Sequence, residues 1–221
     1  NNGSISDAAG NAAILTLAAT GSATSLGGQK GFVIDTSPAT IASISSSASD
    51  ATYKIGDVIP ISITFSEVVT VTGIPQLTLE TGETDAVVNY TSGSGSTTLL
   101  FNYTVSSGQA SNDLDYTGTD ALSLNGGTIL DASGNASVLT LASPGATNSL
   151  GANKALIIDG IVPSVSSVAS STSNGIYKIG ETVAITVTFS EAVTVNGSPQ
   201  LTLETGSSDA VVNYTSGSGS S

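Results

Sequence analysis

Apolar and polar residues alternate along much of this 221-residue chain. The clearest example is residues 58–65, where four large apolar residues are separated by Pro, Ser and Thr. This pattern predicts a strand with one buried face, and residues 183–189 repeat it. Further β-branched and aromatic runs, bounded by Gly- and Ser-rich turns, predict strands at residues 40–45, 76–80, 86–90, 97–105, 127–130, 137–141 and 154–158. No sustained 3.6-residue stripe indicates a helix, so the pattern predicts an all-β fold.

The pattern also returns after 124 residues, the spacing between Asp7-Ala8-Ala9-Gly10-Asn11 and Asp131-Ala132-Ser133-Gly134-Asn135. More than half of positions 1–97 are identical to positions 125–221. A repeat of this size predicts an array of tandem domains, whose function is more often mechanical or adhesive than catalytic. We expect residues 1–35 to be the C-terminal part of a preceding repeat, 36–159 a complete repeat, and 160–221 the N-terminal part of the next, with both chain ends inside a repeat.

Seven or more short strands in one repeat predict a two-sheet β-sandwich. In Ig-like order, residues 58–65 become strand B, 76–80 strand C, 97–105 strand E, 127–130 strand F and 154–158 strand G. Successive units are connected by a single extended segment, which predicts an elongated array.

The composition narrows the possible functions. Four Lys residues face 17 carboxylates, giving a formal charge of −13. This charge predicts repulsion by nucleic acid and by anionic membranes, but attraction of divalent cations. No run of 18 apolar residues is present, so we expect no membrane insertion in this segment. Cys, His and Arg are absent, which excludes thiolate sites and histidine triads and argues against an enzyme. A Cys-free, Ser/Thr/Gly-rich acidic chain is typical of large secreted proteins, so we expect an extracellular location on a bacterial cell surface.

The predicted strand order gathers carboxylates at the junctions between units. Glu67 follows strand B and Asp131 opens the F–G turn, which places both at the end of the unit where the chain enters. Asp35 lies in the connecting segment that leads to this same end. Three carboxylates at one junction repel one another unless a cation neutralises them, and hard oxygen ligands favour Ca²⁺. The amide or backbone carbonyl of Asn135 is a further candidate ligand. Asp131 as a plain turn residue and Glu67 as a solvated strand end are the alternatives.

The next junction repeats the arrangement. Asp159 and Glu191 occupy the positions equivalent to Asp35 and Glu67. We expect Asp113 and Asp115, in the E–F connection, to approach this second junction from the other side. A solvated strand end is again the alternative for Glu191.

Several motifs carry a resemblance to known families. Asn112-Asp113-Leu114-Asp115-Tyr116, Asp131-x-x-Gly134-Asn135 and Ile158-Asp159 before Pro163 resemble, in that order, the calcium motifs of cadherin-like domains. The whole unit is similar to the repeats of giant bacterial surface adhesins and extracellular filament proteins. The resemblance implies tandem Ig-like (cadherin-like) β-sandwich domains that Ca²⁺ stiffens at their junctions. The single Asp in each connecting segment departs from true cadherins and predicts fewer ions per junction.

These features predict a structural and adhesive repeat segment, a stalk or filament whose partners are the neighbouring repeats of the same chain. One alternative is a carbohydrate-binding module in which Tyr90, Tyr103 and Tyr116 stack on cell-surface glycans. Another is a filament subunit in which identical chains complete one another's sandwiches by strand exchange. Head-to-tail completion would lack the equivalent of residues 98–124, so a segment of a longer array is the preferred interpretation.

Overall fold

The computed structural model describes residues 3–221, which form strands joined by turns together with two single-turn helices. The predicted all-β class is confirmed. The helices are α1 (Leu26–Gln29) and α2 (Leu150–Asn153). The strands are β1 (Ile41–Ser46), β2 (Ala51–Lys54), β3 (Val58–Thr72), β4 (Gln76–Leu79), β5 (Ala86–Ser92), β6 (Ser96–Thr104), β7 (Ala110–Ser111), β8 (Leu122–Ser123), β9 (Thr128–Asp131), β10 (Leu156–Asp159), β11 (Val165–Ser170), β12 (Ile185–Phe189), β13 (Gln200–Leu203) and β14 (Ala210–Asn213).

The largest sheet has the strand order β1-β3-β6-β5-β4-β8, with β9 added alongside β3. Strands β4, β5 and β6 follow one another as antiparallel neighbours. The alternation read from the sequence is present, since Ile59, Ile61 and Ile63 are all buried on one face of β3. Phe101 and Tyr103 of β6 pack into the same core. Burial of this apolar face is the main force that holds the sandwich-like unit together.

Strand β3 is longer than the sequence pattern predicted because it changes partners along its length. Its first half pairs with β1 and β6, and its last four residues pair with β9, from Val69 opposite Asp131 to Thr72 opposite Thr128. The register with β6 shifts between Thr64 and Val69. Irregularities of this kind redirect side chains, and Glu67 lies within this one.

The backbone just before β9 passes very close to the end of β3. Gly127 passes so near Thr72 that a Cβ atom at residue 127 would lie 2.2 Å from the Thr72 carbonyl oxygen. Only glycine permits this approach. The Thr72 and Thr128 hydroxyls then lie 2.7 Å apart across the two strands. Residues 128–131, which overlap the predicted strand F, therefore pair with the end of β3, which contains the predicted strand B.

The closing strand β10 belongs to a second, three-stranded sheet. It runs parallel to β2 and antiparallel to β7. Residues 137–141, predicted as a strand, make only an isolated parallel bridge between Val138 and Thr40. Helix α2 follows, with the Ser149 hydroxyl accepting a hydrogen bond from the Ala152 N–H, and Leu150 is fully buried. The Asn153 side chain donates to the Ile44 carbonyl at 2.7 Å and fixes α2 against β1.

The repeat is visible in the geometry. Strands β11 and β12 pair with the register of β1 and β3 moved by 124 residues, including the same irregularity. Strands β13 and β14 copy β4 and β5 in the same way. Within residues 3–221, every buried apolar side chain lies between Ala39 and Ile158. Both helices in the described chain are far too short to cross a membrane.

Candidate metal centre

Asp35, Glu67 and Asp131 converge at one point, and we call these three residues the acidic cluster. One carboxylate oxygen of each lies within 4.8 Å of the other two. Asp35 is exposed, Glu67 is half-buried and Asp131 is buried, with 3% of its surface accessible. The cluster thus forms a shallow site with one buried wall and one open side. The predicted meeting of these three side chains is present in the structure.

Asp131 is held by a tight turn. Its Oδ1 accepts hydrogen bonds from the backbone N–H groups of Ser133 and Asn135 at 2.9 and 2.8 Å, and its Oδ2 accepts from Asn135 Nδ2 at 2.8 Å. Burial raises the pKa of Asp131, but these hydrogen bonds outweigh that effect and hold the pKa below its ordinary value of 3.8. The carboxylate therefore stays ionised and fixed in place.

The same turn forms at Asp7, which belongs to no group of three acids in the described chain. Asp7 Oδ1 accepts from the N–H groups of Ala9 and Asn11, and its Oδ2 accepts from Asn11 Nδ2. The side-chain hydrogen bond from Asn11 is the main cause that lowers the pKa of Asp7. The turn is thus a local property of the Asp-x-x-Gly-Asn sequence, and it presents its carboxylate before any cation arrives.

Asp35 is tied to this turn from the connecting segment. The Ser133 hydroxyl donates to Asp35 Oδ2 at 2.9 Å, and Asn135 Nδ2 lies 3.3 Å from the Asp35 carbonyl oxygen. Asp35 Oδ1 accepts from the Ser37 N–H at 3.0 Å. The contacts with Ser133 and Asn135 span 98 and 100 positions of sequence, so they join Asp35 to residues near the end of β9.

Glu67 is positioned by the residue before it. The Ser66 hydroxyl accepts from the Thr40 N–H at 3.0 Å, and the Ser66 N–H donates to the Thr40 carbonyl at 2.8 Å. Ser190 and Ser164 make the same pair of hydrogen bonds at 3.0 and 2.8 Å. Ser66 and Ser133 are the site residues that sequence reasoning missed. The repetition of Phe-Ser-Glu was a signal for Ser66, whereas Ala9 replaces Ser133 in the other copy.

No basic side chain neutralises the acidic cluster. Among residues 3–221 the one salt bridge joins Lys154 Nζ to Asp50 Oδ1 at 2.8 Å, away from the cluster. Oxygens that bind a single Ca²⁺ ion at 2.3–2.6 Å are at most about 5 Å apart. The spacing of the acidic cluster fits that limit, and its donors are oxygen atoms only.

Asn135 lies at the site, but it acts there as a hydrogen-bond donor. Its Nδ2 faces Asp131 Oδ2 and the Asp35 carbonyl, and its backbone carbonyl accepts from the Asp131 N–H at 3.0 Å. In this arrangement Asn135 contacts both aspartates.

The four carboxylates predicted at the second junction are not gathered into one group. In the described chain the acidic cluster is the only set of three acids with this spacing. Asp115 Oδ2 accepts from the Gly145 N–H at 2.9 Å, and both Asp113 and Asp115 point toward Gly151 of α2. Asp159 accepts from the Ile161 N–H. Glu191 Oε1 is buried without a hydrogen-bond partner.

The tyrosines considered for sugar stacking are largely enclosed. Tyr103 and Tyr116 are buried, and their hydroxyls donate to Gln109 Oε1 and to the Ala142 carbonyl. Tyr90 is half-buried and packs edge-on against Phe101, with ring centroids 6.0 Å apart. Two of the three rings are thus buried in the core, and the third is half-buried.

In comparisons with family models, with curated proteins and with solved structures, nothing matches this chain. The functional assignment accordingly rests on the chemistry of the acidic cluster and on the repeat itself.

Proposed function

We propose that this chain is a structural and adhesive repeat segment of a long extracellular bacterial protein, in which Ca²⁺ at the acidic cluster stiffens a stalk or filament. The observation that carries this proposal is the approach of Asp35, Glu67 and Asp131 to within 4.8 Å. Asp35 lies in the connecting segment and the other two lie in the following unit. A shared ion would therefore link two successive units.

The electrostatics give the ion its role. Three carboxylates this close repel one another, and the chain carries a net charge of −13. Ca²⁺ binding removes that repulsion and adds bonds between the connecting segment and the unit. The angle between successive units then becomes fixed, because Asp35 can no longer move away from Asp131.

The tandem arrangement is part of the same proposal. Residues 36–159 form one Ig-like sandwich unit, and residues 1–35 and 160–221 belong to its neighbours in an elongated array. The support is the confinement of the core to positions 39–158 and the copied strand registers at β11–β14. The neighbouring repeats of the chain are the proposed partners, at the bacterial cell surface.

Calcium titration by isothermal calorimetry tests the site. We expect a dissociation constant of about 0.1–1 mM, as for extracellular calcium modules with few ligands. Asp35→Asn should weaken binding at least about tenfold, because it removes one of three charged ligands. Glu83→Gln is the matched control, since it removes the same charge from an exposed turn outside the cluster. Equal binding by both variants would refute the site.

Small-angle scattering tests the stiffening. The largest dimension of the 221-residue chain should increase with Ca²⁺ and decrease with a chelator, and Asp35→Asn should abolish the difference. Identical scattering profiles under the two conditions would contradict the mechanical role even if calcium binds.

A further inference from the structure

Strands β5 and β6 are neighbours in the largest sheet, but they pair over only part of their length. Their ladder consists of two residue pairs, Tyr90 with Phe101 and Ser92 with Leu100. Residues 86–89 of β5 pair with β4 alone, and residues 102–104 of β6 pair with β3 alone. In the described chain these two stretches therefore have no strand partner on the sides that β5 and β6 turn toward each other.

A groove lies between the two unpaired stretches, and we call it the β5–β6 groove. Its volume is about 660 Å³, and it is lined by residues 85–91 and 102–104 together with Ser106 and Gln109. Gln109 Oε1 accepts hydrogen bonds from the Tyr103 hydroxyl and the Ser106 N–H, both at 2.8 Å, which fix the Gln109 side chain in the groove wall. None of the lining residues belongs to the acidic cluster, so the groove is distinct from it.

The backbone of β6 turns polar groups toward the groove at Thr104. The Val105 N–H donates to the Asp57 carbonyl at 3.0 Å, so the backbone groups of Val105 face the β3 side. Successive residues of a strand direct their N–H and carbonyl groups to opposite sides. The N–H and carbonyl of Thr104 therefore point away from β3, into the groove.

The backbone of β5 does the same at Val87. The Tyr90 N–H donates to the Pro75 carbonyl at 2.8 Å, so the backbone groups of Tyr90 face the β4 side. The same alternation places those of Val88 on the β4 side and turns the N–H and carbonyl of Val87 toward the groove. The Val87 side chain is 57% exposed, whereas those of Ala86 and Val88 are buried. This edge thus offers a main-chain donor and acceptor beside an apolar wall.

The charge of the groove indicates the sign of its occupant. Asp85 is the only charged residue that lines it, and the whole chain carries a net charge of −13. A positively charged segment is therefore attracted, whereas a second copy of this chain is repelled. The buried side chains of Ala86, Val88 and Tyr103 supply the apolar part of the wall. Because side chains alternate along a strand, a bound segment can place apolar residues against this wall and basic residues toward Asp85 and solvent.

We propose that an extended segment of a basic partner protein, in which apolar residues alternate with Lys or Arg, binds in the β5–β6 groove by strand addition to β5. The segment forms main-chain hydrogen bonds with Val87, and β6 encloses its other side at Thr104. Main-chain bonds of this kind supply affinity, and the pockets for alternate side chains supply specificity. The groove gives the repeat a binding edge for a partner, which goes beyond the structural role proposed above and does not depend on Ca²⁺.

Binding of a synthetic peptide to the 221-residue chain tests the groove. The probe is a labelled eight-residue peptide in which Val and Lys alternate, with both ends blocked, at about 0.15 M salt, where long-range attraction is screened. We expect a dissociation constant of about 10–100 μM by fluorescence anisotropy. The same peptide with Glu in place of Lys should bind at least about tenfold more weakly. Equal binding of the two peptides would overturn the choice of a basic occupant.

Val87→Pro tests the pairing, because it removes the N–H to which the peptide would bond. That N–H points away from β4, so the ladder between β4 and β5 keeps its hydrogen bonds. Val87→Thr is the matched control, since it keeps both the N–H and the β-branched shape. We expect the Pro variant to bind at least about tenfold more weakly and the Thr variant within about twofold. Equal affinities would show that charge alone attracts the peptide, which would overturn strand addition.

A modified peptide makes the same test without any change to the protein. N-methylation of every second residue removes the N–H groups along one edge of an extended peptide only. Of the two peptides methylated in this way, on Val or on Lys, the one that loses the edge facing β5 should bind at least about tenfold more weakly than the parent. Unchanged affinity of both methylated peptides would contradict main-chain pairing even if Val87→Pro fails to fold.

Amide chemical shifts locate the bound peptide and test the competing class of ligand. The largest changes should occur at residues 85–91 and 102–109. Maltotetraose, cellotetraose and chitotetraose should leave these amides unchanged. Shifts at the groove with an oligosaccharide, but none with the peptide, would assign the groove to glycans and overturn the proposal.

This proposal and the calcium proposal can fail separately. We expect the same peptide affinity in Ca²⁺ and in chelator, because the groove and the acidic cluster share no residue. A chain that binds the peptide but not Ca²⁺ would support the groove and refute the calcium site. The absence of peptide binding up to about 1 mM would overturn the groove whatever the result for Ca²⁺.

Discussion

The Ser133 hydroxyl donates a 2.9 Å hydrogen bond to Asp35 Oδ2, although the two residues lie 98 positions apart in sequence. This contact joins the connecting segment to the turn that holds Asp131. In the copy of the turn at residues 7–11, Ala9 takes the place of Ser133 and no such bond can form. The hydroxyl is therefore a feature of this junction and not a requirement of the turn.

Replacing Ser133 with Ala should leave the turn folded and loosen Asp35. A hydrogen bond to a charged group contributes about 1.5–3 kcal/mol when it is well shielded, and less at this exposed position. We expect the calcium dissociation constant to rise about threefold to tenfold, measured by calorimetry. Ser143→Ala, at an exposed position in a turn, is the control. An affinity for Ca²⁺ within twofold of the original chain would show that Ser133 does not position Asp35.

The depressed pKa of Asp131 makes the unit sensitive to acid. Its carboxylate is hydrogen-bonded in the folded state, so its folded pKa lies below its unfolded pKa. The stability that it contributes is fully present above about pH 4 and is lost as the pH falls through the folded pKa.

Urea unfolding between pH 3 and pH 7, in chelator, measures this contribution. Asp131→Asn should lower the urea midpoint at neutral pH, and the difference from the original chain should shrink in acid. Asp7→Asn makes the same substitution in the exposed copy of the turn at residues 7–11 and should leave the urea midpoint unchanged. A difference that stays constant with pH would mean that Asp131 titrates alike in the folded and unfolded chains.

The repeat supplies a matched pair of core positions. Leu150 is fully buried in α2, and its equivalent Leu26 is 71% exposed in α1. Leu150→Ala should cost about 2–5 kcal/mol of unfolding free energy, because it leaves a cavity. Leu26→Ala should change the free energy of unfolding by less than about 0.5 kcal/mol. Chemical denaturation of the two variants distinguishes them. A comparable loss in both would mean that residues 3–35 are packed against apolar surface in solution.

Two tyrosine hydroxyls should ionise at a higher pH than an exposed tyrosine does. Burial raises the pKa of Tyr103 to about 12, and burial together with the nearby Asp115 charge raises that of Tyr116 to about 12. Both folded pKa values lie above the unfolded value of about 10. Their contribution to stability is therefore complete below about pH 10 and is lost as the pH rises through about 12.

Tyrosinate absorbance during an alkaline titration follows this step directly. Tyr103→Phe should reduce the amplitude of the late transition, whereas Tyr177→Phe, in the exposed C-terminal segment, should leave that transition as it is. A late transition of full amplitude in Tyr103→Phe would contradict the assignment of the raised pKa to Tyr103.

Much of the architecture could be predicted from the sequence because the repeat makes the main sequence patterns occur twice. The alternation in β3 reappears in β12, and the Asp-x-x-Gly-Asn turn appears twice with the same hydrogen bonds. Local patterns of this kind depend on neighbouring residues alone. The approach of Glu67 to Asp131 was also predicted, from the loop positions of an Ig-like strand order. It arises because Val69 pairs with Asp131 across β3 and β9.

The remaining features depend on contacts that no local pattern encodes. The extension of β3 to Thr72 requires β9 as a partner, and the approach of Gly127 to Thr72 makes that pairing possible. The E–F connection places Asp115 against Gly145, because the backbone N–H there supplies a hydrogen bond. Such long-range choices follow from packing of the whole unit.

The parallel pairing of β2 with β10 has a mechanical consequence. These strands lie near the two ends of the unit and point in the same direction. A force applied at Ala51 and Asp159 would load this ladder in shear, but residue 36 is connected to β2 through β1, which pairs with β3. Rupture under load is governed by the unfolding barrier and not by equilibrium stability. In the proposed array, tension along the chain would therefore reach this ladder only after β1 separates from β3.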